Sequence, residues 1–94
     1  MAEKMGYDES LIRVGGLLEQ KRKALGKQYA SREKFIMQRS LELFAGEQWI
    51  SLRHLTNIEL GKNWMSLEML IKHSYALETD PVELFSDIVH AYNG

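Results

Sequence analysis

Apolar residues in this chain recur three and four positions apart rather than alternating, a spacing that predicts helices and no sheet. Leu11, Val14, Leu18 and Leu25 fall on one stripe and predict a first helix over 10–25, stopped by Gly26. Gly15 and Gly16 lie inside it at a cost of roughly 1 kcal/mol each relative to alanine, so either another helix passes close by or this end frays. Phe35, Ile36, Ser40, Leu43 and Phe44 make the inward stripe of a second helix, capped by Ser31 and ending at Phe44 or Ala45, ahead of Gly46. Ser51 opens a third helix over 51–60, in which Leu55 and Ile58 face the core. A Gly61-Lys62-Asn63 turn follows, and Ser66 caps a fourth helix with Leu67, Leu70, Ile71, Ser74 and Leu77 inward. Asp80 at the N-cap, Pro81 in the first helical position and Glu83 in the third start a fifth. Leu84, Phe85, Ile88 and Val89 pack it back, and Tyr92, Asn93 and Gly94 end the chain. The pattern predicts an all-α domain of five helices over 1–94, with residues 1–9 flexible.

Composition narrows the function classes. Ninety-four residues suit one domain, and the 45% apolar fraction is enough for a small core. With no cysteine, disulfides, thiolate metal sites and thiol nucleophiles are excluded. No apolar run approaches the ~20 residues of a membrane span, and the opening MAEKMGYDES lacks the apolar stretch of a signal peptide. Cytoplasmic residence without a membrane partner is the expectation. His54, His73 and His90 fall on different helices without paired spacing, which argues against a metal site. No Ser/His/Asp constellation, phosphate-cradling glycine loop or carboxylate pair is present. Neither enzymatic activity, a cofactor nor a small-molecule ligand is therefore expected. Trp49 and Trp64 read as core or hinge residues, and an exposed tryptophan at either position would offer a partner an anchor.

The net charge of −1 hides an uneven distribution. Residues 21–53 hold eight basic side chains (Lys21, Arg22, Lys23, Lys27, Arg32, Lys34, Arg39, Arg53) against three acidic ones (Glu33, Glu42, Glu47). The flanking segments are acidic. A basic run of this kind is either a solvated helical face or a surface for an anionic partner, and charge alone does not choose between them.

Ser51, Leu55, Ile58-Glu59, Gly61-Lys62 and Ser66-Leu67 are continued in register by Leu70, Ala76-Leu77, Asp80-Pro81 and Leu84-Phe85. Together they resemble the helix-turn-helix DNA-binding domains of the Cro/lambda-repressor-like family (the xenobiotic-response-element type), without a gap over 50–85. Val14-Gly15, Leu18 and Arg22 fit the family's first helix more loosely, with Lys21 in place of a leucine. Met65 stands where the family often has proline, and Trp49 where its turn has glycine. Residues 27–49 are longer than the family requires. Either the second helix starts at Ser31 and is lengthened, favoured by the continuous stripe from Phe35 to Phe44, or it starts at Ser40 and ends in Phe44-Ala45.

The resemblance implies a small repressor-like regulator of bacterial or phage type, binding double-stranded DNA as a homodimer and reading the major groove with helix 51–60. Arg53 and Asn57 stand four apart, on the face opposite Leu55 and Ile58, with Leu52 and Thr56 beside them. Arginine can pair with guanine, asparagine with adenine, and leucine can touch a thymine methyl. On spacing alone these would be ordinary surface; their coincidence with the family's base-reading positions makes them candidate base contacts. Ser51, His54, Lys62, Asn63, Arg32 and Lys34 are candidate phosphate contacts, with the Gly61, Lys62 and Asn63 N–H groups offered as well, while Arg39 is expected to matter less. Glu59 looks like the family's structural glutamate, paired with Arg22 rather than catalytic. The alternative is the same fold used as a protein-interaction or antitoxin-like module, which the near-zero net charge and the lengthened second-helix region support.

Overall fold

The computed structural model describes residues 8–94 and contains, among them, helices and no strand. The order is α1 (Glu9–Lys23), a 3-10 turn (Lys27–Tyr29), α2 (Arg32–Leu43), α3 (Leu52–Glu59), α4 (Leu67–Ala76) and α5 (Pro81–Asn93). Each helix begins on a side-chain cap. Asp8 accepts from the Ser10 and Leu11 amides, Ser31 from Lys34, Ser51 from His54, Ser66 from Met69, and Asp80 from Val82 and Glu83. Such caps are worth about 1 kcal/mol each and fix where the periodic segments start. The flexibility expected over 1–9 falls largely outside the described residues; Asp8 and Glu9, however, form the start of α1.

The core is drawn from every helix: Leu11, Val14 and Leu18; Phe35 and Ile36; Leu55 and Ile58; Ala76; Leu84 and Ile88. Tyr29, Trp49, Ile50 and Leu77 join them from the connections. Several expected inward residues face out instead. Leu43, Leu67, Ile71, Phe85 and Val89 are all exposed, Leu67 to 77%. The buried stripes run through Arg39 and Ser40 on α2, His73 and Ser74 on α4, and Leu84 and Ile88 on α5. These helices carry apolar residues around more than half their circumference, so apolarity alone left their rotation open by about one position.

Two glycines set the approach of α1 to α3. A β-carbon on Gly15 would lie 2.4 Å from the Glu59 carbonyl oxygen and 2.7 Å from that of Ile58. One on Gly61 would lie 2.6 Å from Ile12 Cα. Nothing lies within 4 Å of such an atom on Gly16, and nothing in the structure explains that glycine. Gly61, at φ 78°, also ends α3: its N–H donates to Ile58 and that of Lys62 to Asn57, the paired bonds of a Schellman motif. At the far end of α1, Arg13 donates to the Ala91 and Tyr92 carbonyls and so closes the C-terminus of α5.

The residues beyond the family's length lie in the connections on either side of α2. One is the 3-10 turn. The other is residues 44–51, which leave α2 through Ala45 and Gly46, both at positive φ (56° and 83°), and return through buried Trp49 and Ile50. Trp49 stacks on Phe44 at 5.4 Å and meets the rings of Phe35 and His73 edge-on at 5.6 and 5.5 Å. Ser40 lies within α2, its hydroxyl donating to the Ile36 carbonyl, which excludes a second helix beginning there.

Candidate nucleic-acid interface

What holds α3 in place is a buried carboxylate. Glu59, at its last turn, accepts from Arg22 Nε at 2.8 Å and Arg22 Nη2 at 2.9 Å, a bidentate pair in which both side chains are almost fully buried. The remaining Arg22 nitrogen, Nη1, donates to the Tyr29 carbonyl at 3.1 Å and to that of Ala30. Every nitrogen of the guanidinium therefore has a partner, which a buried cation requires. Arg32 adds a second cation to the same carboxylate, its Nε 2.7 Å from Oε1. One acidic group thus ties α1, the 3-10 turn, the start of α2 and the end of α3 together.

With Leu55, Ile58 and Glu59 buried, α3 turns its other side to solvent. Ser51, Leu52 and Arg53 are exposed, and His54, Thr56 and Asn57 are half-buried. Arg53 has no ion-pair partner among the described residues. Leu52 and Thr56 border a shallow groove with Arg32, Ser31 and Lys23, flanked by Glu19 and Glu33. Glu19 is held ionised: its hydrogen bond to Lys23 lowers its pKa below the usual carboxylate range. On its other side Leu52 borders an apolar groove with Ile36, Met37 and Leu41.

The structure sorts the expected phosphate contacts. Lys34 and Lys62 are exposed cations without a salt bridge among the described residues, and Asn63 is exposed beside Lys62. Ser51 Oγ is occupied as the cap of α3. Arg32 is drawn onto Glu59, with a quarter of its side chain exposed. The backbone amides offered to phosphate are spent internally: Gly61 donates to Ile58, and both Lys62 and Asn63 donate to the Asn57 carbonyl. That expectation is corrected, because the turn that makes Gly61 indispensable also consumes its N–H groups.

Much of the basic excess over 21–53 is internal as well. Lys21 pairs with Asp87 at 2.9 Å, Lys23 with Glu19 at 3.0 Å, Arg22 and Arg32 with Glu59, and Arg39 with Glu42 and Glu78 at 2.7 Å each. Lys27, Lys34 and Arg53 are left without a partner among the described residues. Arg39 departs furthest from a surface role. It is 4% exposed, lies 4.2 Å over the Tyr29 ring and also donates to the Ala76 carbonyl. Burial works against its charge, but the hydrogen bonds from Glu78 and Glu42 outweigh it and raise its pKa. Its position three after Ile36 and four after Phe35 puts it on the inward stripe of α2, a signal legible in the sequence.

Behind α3 lies an unusual buried group. His73 is fully buried, and neither ring nitrogen has a hydrogen-bond partner; nor does Trp49 Nε1 beside it. Desolvation pushes the imidazole down to about 4, with Glu59 opposing the shift and His54 and Arg22 reinforcing it. His73 is therefore neutral and acts as an aromatic core residue near pH 7. Among the described residues no cluster of His, Asp and Glu is arranged to hold a metal ion, and no helix is long and apolar enough to cross a membrane.

No protein-family model, curated protein or solved structure matches this chain.

Proposed function

We propose that this chain is a small DNA-binding regulator of the Cro/lambda-repressor-like kind, which reads a short duplex site with the outward face of α3. The observation that carries the reading is that face: unpaired Arg53 with Asn57 one turn on and Leu52 and Thr56 beside them, on a helix clamped by Glu59 and the Gly15 approach. A short, rigidly held helix with an arginine and an asparagine at its surface suits bidentate contact with base edges. Lys34 and Lys62, at the start of α2 and just past the end of α3, would neutralise phosphates on either side. Arg32 serves chiefly as the second partner of Glu59 in this account. Two copies on a two-fold site would supply the contacts one such module lacks.

A second reading, a protein-interaction module, is favoured by one observation: Leu52 belongs equally to the apolar groove with Ile36, Met37 and Leu41. The two readings separate in a salt titration of binding to random duplex DNA. Phosphate neutralisation makes log K fall steeply with log salt. A flat or undetectable response assigns the α3 face to a protein partner.

A further inference from the structure

Helix α5 carries two apolar stripes, and the core uses one of them. Leu84, Ile88 and Ala91 face inward. Val82, Phe85, Val89 and Tyr92 are spaced three, four and three apart, the spacing of a helix-pairing seam, and they are 76%, 52%, 39% and 40% exposed. The seam continues off the helix: the Trp64 ring lies 5.7 Å from that of Tyr92, and Trp64 and Leu67 share a small apolar hollow with Phe85. No charge interrupts it. The neighbours on its outer edge are Ser86 and Asn93, while Asp87 is turned away onto Lys21. A solvated helical face would carry charge here; a depleted one with aromatic residues has the composition of an interface core.

We infer that this seam is where two copies of the chain associate, α5 against α5 across a two-fold axis. The four spacings are symmetric about position 87, so an antiparallel copy sets Val82 against Tyr92 and Phe85 against Val89 of the second copy. An isologous contact requires that self-complementarity. The six side chains leave on the order of 600 Å² open per chain, and two copies therefore cover about 1,200 Å², the lower bound for a specific stable interface. A dimer is already implied by the DNA reading, on which this inference does not depend; its position follows from the surface alone.

Sedimentation across the micromolar range, without DNA, tests it. The wild-type chain should show a concentration-dependent dimer. Phe85→Glu and Val89→Asp, both at exposed positions, should weaken dimerisation at least ~100-fold by placing carboxylates in an apolar contact, with unchanged far-ultraviolet circular dichroism. The absence of cysteine permits a second readout: Ser86→Cys should cross-link under mild oxidation, and Lys34→Cys on α2 should not. A chain that stays monomeric throughout, a dimer that survives both substitutions, or cross-linking at Lys34→Cys alone overturns the assignment. Arg53→Ala should leave the dimer intact, so loss of DNA binding and loss of association are read separately.

Discussion

A histidine with no hydrogen bond in a sealed core is a pH sensor for stability, whatever else the protein does. His73 titrates near its ordinary value of 6.5 in the unfolded chain and at about 4 in the folded one. Above pH 6.5 both states are neutral and the residue has no effect on pH dependence. As pH falls from 6.5 towards 4 the unfolded chain takes up the proton first, so stability declines over that window and levels off below it. The shift corresponds to at most about 3 kcal/mol. Chemical denaturation of the wild type and His73→Leu at a series of pH values should show a slope between pH 6.5 and 4 that the substitution removes. Parallel curves for the two proteins would mean that His73 gains a proton in the folded state as easily as in the unfolded. The residue's burial was not read from the sequence. It follows Leu70 by three and precedes Leu77 by four, on the true inward stripe of α4, but Leu67 and Ile71 marked a competing stripe one position away.

At the scale of elements, helix starts were the most legible feature, because Ser31, Ser51, Ser66 and Asp80 each supply a local hydrogen bond that needs no tertiary context. Rotations of α4 and α5 were not legible. Their outward apolar residues cannot be told from inward ones without knowing which face finds a neighbour, and on α5 both faces are apolar. The Arg22–Glu59 contact could be anticipated through the resemblance, whereas Arg32 joining it depends on the 3-10 turn that brings α2 to the end of α3. The α1–α3 lock makes a paired prediction. Gly15→Ala drives a methyl into the Glu59 and Ile58 carbonyls and should cost ~1–3 kcal/mol, as overpacking does. Gly16→Ala, one residue on and unobstructed, should instead gain ~0.5–1 kcal/mol from helix propensity. In a double-mutant cycle on unfolding free energy, Arg22→Ala and Glu59→Ala should be strongly non-additive, since each alone leaves a buried charge unpaired. Equal effects of the two glycine changes, or strict additivity in the cycle, would contradict the lock.

Across the whole molecule, the charge that suggested an anionic partner proved to be two populations. Arg22, Arg32 and Arg39 are structural, holding carboxylates that bind one helix to the next; sequence counts them with the surface because a helical arginine does not announce which way it faces. Lys27, Lys34, Arg53 and Lys62 remain for a partner, with the α5 seam on another helix for a second copy. The account therefore rests its function on a few side chains rather than on net charge, and on Arg53 above all. The most direct measurement is the affinity of wild type and Arg53→Ala for a duplex site selected from a random pool, and for its single-base variants. Loss of the arginine should cost ~1–3 kcal/mol on the selected site and erase discrimination at one base pair. Uniform weakening on every sequence would make Arg53 a phosphate contact, and unchanged binding would remove α3 as the reading helix.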